Sequence, residues 1–428
     1  MTARQLEVHA DPAWIPNPDL DHIDRRVYTS PAIFEAERDR VFGRSWIMVG
    51  VLSDFENTGD YVTTTIGLDP VVVVMDKEGN LNALYNTCTH RGTAVAGEPR
   101  GNCGTHLQCP YHQWTFDLKG RLAAVPYPAA YGSDFPKDQL GLVPAKVEVC
   151  GSLVFAATNP LVPTLRGFLG EAWEWVEHFT TGKEVFGRGA WTYEGNWKLW
   201  HENFRDNYHP EFVHGLVHDL EAGFADQGRN VWLEPGHSLM EWPMVPPQFD
   251  RYAAGIRKRS GVVVDPAQNE EWQGPRPPEG TPEGDHADEG EHADLPPMSV
   301  SAYFPNLDFQ AFFTGLVVQR LTPLSPDATR VDITFLAPEG EPEWVRAFRL
   351  DHEAGMQGSW GKVSADDTEV CELTQVGLRG RGTQLSNMSR GRAPGRSGET
   401  RDEYSMRSFH AEWRKYMYGT DEPTPSED

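Results

Sequence analysis

Basic residues are scarce in this 428-residue chain: 38 Lys and Arg stand against 63 Asp and Glu, a formal net charge of −25. A surface so acidic repels a phosphate backbone, which argues against nucleic acid as a partner. Long apolar runs are missing too. No segment reaches the roughly eighteen consecutive apolar residues of a membrane helix, and the opening MTARQLEVHADPAWIPNPDL has no apolar core of the signal-peptide kind. Neither a membrane span nor a secretory leader is therefore expected. Cysteine is rare as well. The chain has five, three of them crowded between 88 and 109, which is no disulfide framework and suits a reducing compartment. These absences leave a cytoplasmic globular chain, 39% hydrophobic and long enough for two or three domains.

Strand and helix signals divide the chain. DYVTTTIG and PVVVVMD are β-rich, DKEGN turns the second into LNALYNTC, and another hairpin is expected around Lys119-Gly120 before KVEVCGSLVFAAT continues the alternation. Residues 45–160 thus read as a small antiparallel β domain. LRGFLGEAWEWVEHF and GNWKLWHENFRDNYH have helical periodicity, and strands return in FQAFFTGLVVQRLTPL and RVDITFLAP. Residues 161–428 read as a larger domain in which helices cover an antiparallel sheet, with residues 1–44 packing against it. The fold class expected is α+β, the small β domain being inserted into the larger one. Residues 265–297 carry ten acidic residues and one arginine, and read as a solvated, mobile insertion.

The stretch NTCTHRGTAVAGEPRGNCGTHLQCPYHQW, residues 86–114, holds the cysteine cluster. Cys88 and His90 form C-x-H, and Cys109 and His112 form C-x-x-H: two loop tips, each with one thiolate and one imidazole. Cys2His2 zinc sites have the same inventory but usually separate their first pair by two to four residues. A one-residue gap puts Cys88 and His90 on the same side of an extended loop, reaching two different metal atoms. That suits a [2Fe–2S] centre with cysteines on one iron and histidines on the other, whose neutral ligands raise its potential. Cys103 and His106 fall outside the spacing and read as a loop thiol and a surface histidine, and Cys150 and Cys371 as small buried hydrophobes.

Such a centre passes single electrons, so an acceptor is needed. In NWKLWHENFRDNYHPEFVHGLVHD (196–219), a helix would gather Trp197, Trp200, Phe204 and Tyr208 on one stripe and Glu202, Asp206 and His209 on the other. Pro210 would interrupt that helix and let His214 turn back toward His209. Two imidazoles and one carboxylate make a facial triad that holds iron(II) and leaves positions open for O2. The carboxylate is sought in MQGSWGKVSADDTEVCELTQVGLRG. There Met356, Trp360, Val363 and Val370 recur at helical intervals and Asp367 fills the one interrupted position, with Asp366 about 60° away and three glycines leaving the helix uncertain.

CTHRG…CPYHQW resembles the cluster motif of the Rieske non-haem iron oxygenases, and ENFRDNYHPEFVH resembles their catalytic motif E-N-x-x-[D/E]-x-Y-H-x4-H. The resemblance covers nearly the whole chain outside the acidic insertion and is to the large (alpha) subunit of aromatic-ring-hydroxylating dioxygenases. It implies a [2Fe–2S] Rieske cluster on Cys88, His90, Cys109 and His112, and a mononuclear Fe(II) on His209 and His214. The family's "E-D…Q-x-G-[LI]" pattern points to Asp367 as third ligand. The resemblance also makes Asp206 the bridge from a Rieske histidine of one subunit to His209 of the next, and so implies a homotrimer, with or without a small β subunit. His201 and His218 lie outside the motif and read as supporting residues.

The implied activity is that of a terminal oxygenase. It would use O2 and NAD(P)H electrons, delivered by a separate reductase with or without a ferredoxin, to hydroxylate an aromatic and in one version carboxylated substrate. Oxidative N- or O-demethylation is the alternative. An electron-transfer Rieske protein would need a membrane anchor and no second site, and a zinc-stabilised binding module leaves the second constellation unexplained. FQAFF could line an apolar pocket or belong to the core. Arg320 and Arg390 could clamp a carboxylate or sit at the surface.

Overall fold

Val71 to Val74 are all fully buried, because their strand lies inside a sheet covered on both faces. That strand, Asp69–Met75, belongs to the smaller of two units in a computed structural model that describes residues 15, 20–214, 229–242, 298–312, 315–341, 343–382, 384–391, 397–398 and 401–419. The smaller unit is Glu35–Phe168; residues 1–34 and 169–428 form the larger. The acidic stretch 265–297 and His218 lie outside the described residues.

In the smaller unit seven antiparallel strands run in the order Ile47–Val51, Leu153–Ala157, Pro144–Cys150, Leu81–Tyr85, Asp69–Met75, Asp60–Ile66 and Arg100–Asn102. The expected hairpin at Lys119-Gly120 joins Thr115–Asp117 to Leu122–Ala124 in a separate three-stranded sheet completed by His106–Gln108. Between them lies a core of Val72, Val74, Leu84, Leu107, Trp114 and Phe116, which Cys88 and Cys109 join.

The larger unit is built on an eight-stranded antiparallel sheet: Lys183–Tyr193, Ala328–Pro338, Gly315–Ser325, Leu307–Phe312, Met298–Tyr303, His237–Trp242, Arg229–Leu233 and Ser397–Gly398. Alternation along these strands gives the sheet two distinct faces. The helix Trp197–Asn203 lies on the face that carries Gln319, Asp308 and Ser238: Trp200 Nε1 donates to Gln319 Oε1 at 2.8 Å, His201 Nδ1 meets Asp308 Oδ1 at 2.6 Å, and Arg205 Nη1 donates to Ser238 Oγ at 3.1 Å. Trp197 and Trp200 are fully buried. Each removes on the order of 200 Å² from water, roughly 5 kcal/mol gross, against about 1 kcal/mol for a neutral hydrogen bond. Packing therefore holds the helix down, and the hydrogen bonds set its register.

That helix is shorter than its periodicity predicts. It ends at Asn203, because Asp206 accepts the backbone N–H of Tyr208 on Oδ1 at 2.7 Å and closes a turn instead of continuing the spiral. Pro210 does not interrupt a helix but opens one, Pro210–Val213, at the position where a missing N–H costs nothing. His209 and His214 flank this single turn. Tyr208, expected on the buried stripe, is exposed. No helix among the described residues is long and apolar enough to cross a membrane.

Candidate active site

The two cysteine loops are copies of one turn. Cys88 N–H donates to Thr93 O and Gly92 N–H to Cys88 O, both at 2.8 Å; Cys109 N–H donates to Trp114 O at 2.9 Å and Gln113 N–H to Cys109 O at 3.0 Å. The residue four on from each cysteine has a left-handed backbone: Gly92 at φ 79° and, without glycine's freedom, Gln113 at φ 60°. Both thiols are buried and free of disulfides. The imidazoles of His90 and His112 meet edge to face with centroids 4.7 Å apart, and His90 stacks on Trp114 at 4.7 Å.

Two features show that these residues fit an iron–sulfur cluster. The Nδ1 atoms of His90 and His112 are buried without a hydrogen-bond partner among the described residues. Burial, and then the neighbouring Cys109, raise the pKa of the Cys88 thiol, so the thiolate there needs a cation to exist. Cys103 has turned away: its Sγ sits 3.3 Å from Gly59 O. His106 pairs with Thr105 Oγ1 at the surface.

In the larger unit Asp367 gathers both histidines. Its Oδ1 lies 3.3 Å from His209 Nε2 and 3.2 Å from His214 Nε2, and one ligand atom from each of the three residues can be chosen so that all lie within 4.8 Å of one another. Burial works against charge in both directions and loses. Desolvation would strip His209 of its proton, but Asp206 and Asp367 raise its pKa to about 9. Desolvation would protonate Asp367, but His209 and His214 hold it at about 2. Three converging ligand groups that share protons in place of a cation are what a divalent metal would bind, displacing those protons.

Asp367 occupies the second place on the buried face of helix Lys362–Arg379, after Ser364 and before Cys371, Gln375 and Leu378. The apolar stripe expected from sequence is not that face, since Trp360 is 95% exposed. What fixes Asp367 is polar. Gln375 Oε1 accepts the N–H of Asn196 at 3.0 Å, Glu372 Oε1 accepts that of Glu194 at 2.9 Å, and Asn196 is the residue whose side chain caps the histidine-bearing helix. Two turns after the carboxylate, the same helix is therefore tied to the start of the other.

Sequence reasoning assigns no role to three groups. Asn203, inside the E-N motif, donates to Asp367 Oδ1 at 3.2 Å and approaches His209 Nε2 at 3.4 Å. Asp366 contacts His214 Nδ1 at 3.3 Å. Gln310 is buried with no hydrogen-bond partner for its Oε1 among the described residues, and carries no signal in sequence beyond a polar residue in an apolar strand. Glu202 does not join the metal-competent group: it accepts from Tyr28 OH at 2.9 Å and meets His410 Nε2 at 2.8 Å. His201 is structural, as expected of a supporting residue. Arg205 Nη2 donates to its Nε2 at 3.0 Å, so Nδ1 carries the proton toward Asp308, and burial, then Arg205, hold its pKa well below the usual value. Arg320 pairs with Asp332 at 3.0 Å, and Arg390 stacks 3.8 Å over Tyr208.

A buried Cys/His double loop in one unit, and a two-histidine, one-carboxylate group on a helix-covered antiparallel sheet in the other, define a Rieske-type oxygenase. Residues 45–145 match the Rieske [2Fe-2S] domain, and residues 183–419 match the ring hydroxylating alpha subunit (catalytic domain). The chain belongs to the ring-hydroxylating alpha subunit family, whose cofactors are a [2Fe–2S] Rieske cluster and mononuclear iron. It is 29% identical over 426 residues to the anthranilate 1,2-dioxygenase large subunit of Burkholderia cepacia, covering 94% of this chain and 95% of that one. It is also 29% identical over 402 residues to the 2-aminobenzenesulfonate 2,3-dioxygenase subunit alpha of Alcaligenes sp., covering 92% and 93%. The fold matches naphthalene 1,2-dioxygenase from Rhodococcus sp. bound to indole with TM-score 0.77 at 23% identity, over 98% of each chain.

Proposed function

We propose that Cys88, Cys109, His90 and His112 hold the [2Fe–2S] cluster, that His209, His214 and Asp367 hold Fe(II), and that the chain dihydroxylates an aromatic ring bearing a hydrogen-bonding substituent. The observation that carries this reading is Asp367 Oδ1 lying between His209 Nε2 and His214 Nε2. When bound, the cluster supplies single electrons and the Fe(II) supplies O2 activation beside the substrate. The balance for a cis-diol is one O2, two electrons and two protons added to the ring. The electrons originate in NAD(P)H and reach this chain through a separate reductase, with or without a ferredoxin.

The residues divide the remaining work. Asp367 and the two imidazoles occupy one side of the metal position, and Asn203 beside them offers an amide to the carboxylate. Gln310 suits the substrate substituent. The helix passes over Gln319 at Trp200 and over Asp308 at His201, having entered near Thr329, whose Oγ1 donates to Gly195 O. The adjacent row of the same sheet face holds Val317, Gln310 and Val300. A buried amide whose Oε1 has no partner among the described residues, in an otherwise apolar row, favours a ring with a polar substituent. The two relatives that act on anthranilate and 2-aminobenzenesulfonate, by their names, agree with a polar aromatic acid. Gln310→Leu should raise KM for such a substrate roughly 3–10-fold and spare an unsubstituted arene, the loss of one neutral hydrogen bond. An equal KM for both in the variant takes Gln310 out of recognition. Incubation with a panel of aminobenzoates, benzoate, naphthalene and carnitine, with product analysis, tests the activity itself: cis-diols support it, and aldehyde from a methyl group shows demethylation instead.

Asp206 suits the electron route. Its Oδ2 lies 3.5 Å from His209 Nδ1 and its side chain is 24% exposed, so it has a free edge for a partner. In a head-to-tail trimer that partner is His112 of a neighbouring copy. Asp206→Asn keeps size and turn but removes the charge. Charge-assisted hydrogen bonds are roughly twice as strong as neutral ones, and orienting an imidazole typically matters ~10–100-fold. The variant should keep colour and iron while reoxidation of its reduced cluster by O2 with substrate slows by that factor in stopped-flow absorbance. Reoxidation at the unaltered rate would leave Asp206 a turn-closing carboxylate.

A further inference from the structure

We infer that Asp366 is a positioning residue for His214, so that one helix supplies both a metal ligand and the group that aims another ligand. This rests on the reading of His209, His214 and Asp367 as the iron site. His214 has both ring nitrogens occupied by consecutive residues of helix Lys362–Arg379: Nδ1 lies 3.3 Å from Asp366 Oδ2, and Nε2 lies 3.2 Å from Asp367 Oδ1. Consecutive helical residues project about 100° apart, so the two carboxylates cannot both face the centre. Asp367 is buried and Asp366 is 41% exposed, which assigns the first to the metal side of the ring and the second to its far side.

The ring needs such an orienter. His214 stands at the end of a four-residue helix, held there by its N–H to Pro210 O at 3.2 Å, and its backbone already has extended ψ of 102°. The imidazole torsion is broad and two-fold, so backbone placement alone leaves the ring free to turn its carbon edge toward the metal position. An acceptor at Nδ1 removes that freedom. It fixes the proton on Nδ1 and leaves the Nε2 lone pair facing Asp367 and the metal. His209 has a different arrangement, with Asp206 behind Nδ1 and Asn203 beside Nε2. The two histidines are therefore oriented by carboxylates from different segments. Only the support of His214 is carried by the element that also brings the carboxylate ligand, so a shift of helix Lys362–Arg379 moves ligand and orienter together.

Two variants of the full chain separate aiming from mere charge. Asp366→Asn keeps size and an oxygen that can accept from Nδ1; Asp366→Leu removes the acceptor and favours the helix, so a loss there is not helix fraying. Fe(II) affinity, measured anaerobically by competition with a chromogenic chelator, should weaken ~10–100-fold in Asp366→Leu and by less than about 5-fold in Asp366→Asn. Rieske absorbance per chain and the thermal midpoint should not move. Wild-type affinity in Asp366→Leu overturns the inference. Equal weakening in both variants also overturns it, because the charge would then act through the field and not by aiming the ring. His214→Ala serves as the control: if it retains iron, the reading of the triad has failed, whereas iron loss there with none in Asp366→Leu sinks only the positioning role.

Discussion

Asp367→Ala yields a protein that keeps its Rieske colour, binds no mononuclear iron and turns over no substrate. Among the described residues Asp367 is the only carboxylate whose oxygen lies within 3.5 Å of both Nε2 atoms, and without it two imidazoles of a marginal half-site remain. The loss extends beyond one ligand. Asp367, with Asp206, holds the His209 proton up to about 9 and is itself held near 2, so in the metal-free protein these groups order each other. Iron requires neutral imidazole, so its uptake displaces the His209 proton; affinity in the unaltered protein strengthens as pH rises toward about 9. Removing Asp367 abolishes the site and that proton release together. Iron analysis per chain, proton release on Fe(II) addition and visible absorbance check the three parts. Iron retained in Asp367→Ala and lost in Asp366→Ala would reverse the assignment of the two neighbours.

What the sequence made legible follows from where its information is local. The cysteine pairs were readable because each lies within one loop, and the loops are copies of a single turn whose ends are marked by Cys88 and Cys109. His209 and His214 were readable because five residues separate them. The route by which they meet was misread: periodicity favoured one long helix, and the Asp206 turn with Pro210 as helix opener won over the spiral. Two lines in the sequence lead to Asp367: the apolar stripe is faulty, because it contains the exposed Trp360, whereas the family pattern rests on the spacing between Asp367 and Gln375. That spacing has a physical meaning, because Gln375 must reach the backbone of Asn196 while Asp367 faces the histidines. Contacts such as Asp308 with His201, 107 residues apart, leave no local trace at all. FQAFF illustrates the limit of pattern alone: Phe309 meets Tyr303 edge to face with centroids 4.8 Å apart, on the sheet face opposite Gln310, and Phe313 lies outside the described residues.

Cys88→Ser should give a colourless protein with no [2Fe–2S] absorbance and no activity, while Cys103→Ser, fifteen residues on, should be indistinguishable from the unaltered chain. Three cysteines share this part of the small unit, but they take different places in its core. Cys88 and Cys109 lie in the buried cluster with Leu107, Trp114 and Phe116, whereas Cys103 packs at its edge with its Sγ on the Gly59 carbonyl. Serine at Cys88 replaces a thiolate by a group that hardly ionises and leaves a hydroxyl in an apolar core, where an unpaired polar group costs roughly 1–3 kcal/mol. The loop itself should survive, because its two backbone hydrogen bonds involve only Cys88 N–H and O and not the thiol. The unfolding of the small unit is therefore not the expected cause of colour loss. His112→Ala should bleach the protein as well, since it removes one of the two buried Nδ1 atoms that have no partner among the described residues. Circular dichroism, mononuclear iron content and visible spectra of the three variants settle the assignment: bleaching in Cys103→Ser equal to that in Cys88→Ser would mean that the ligands have been parsed wrongly.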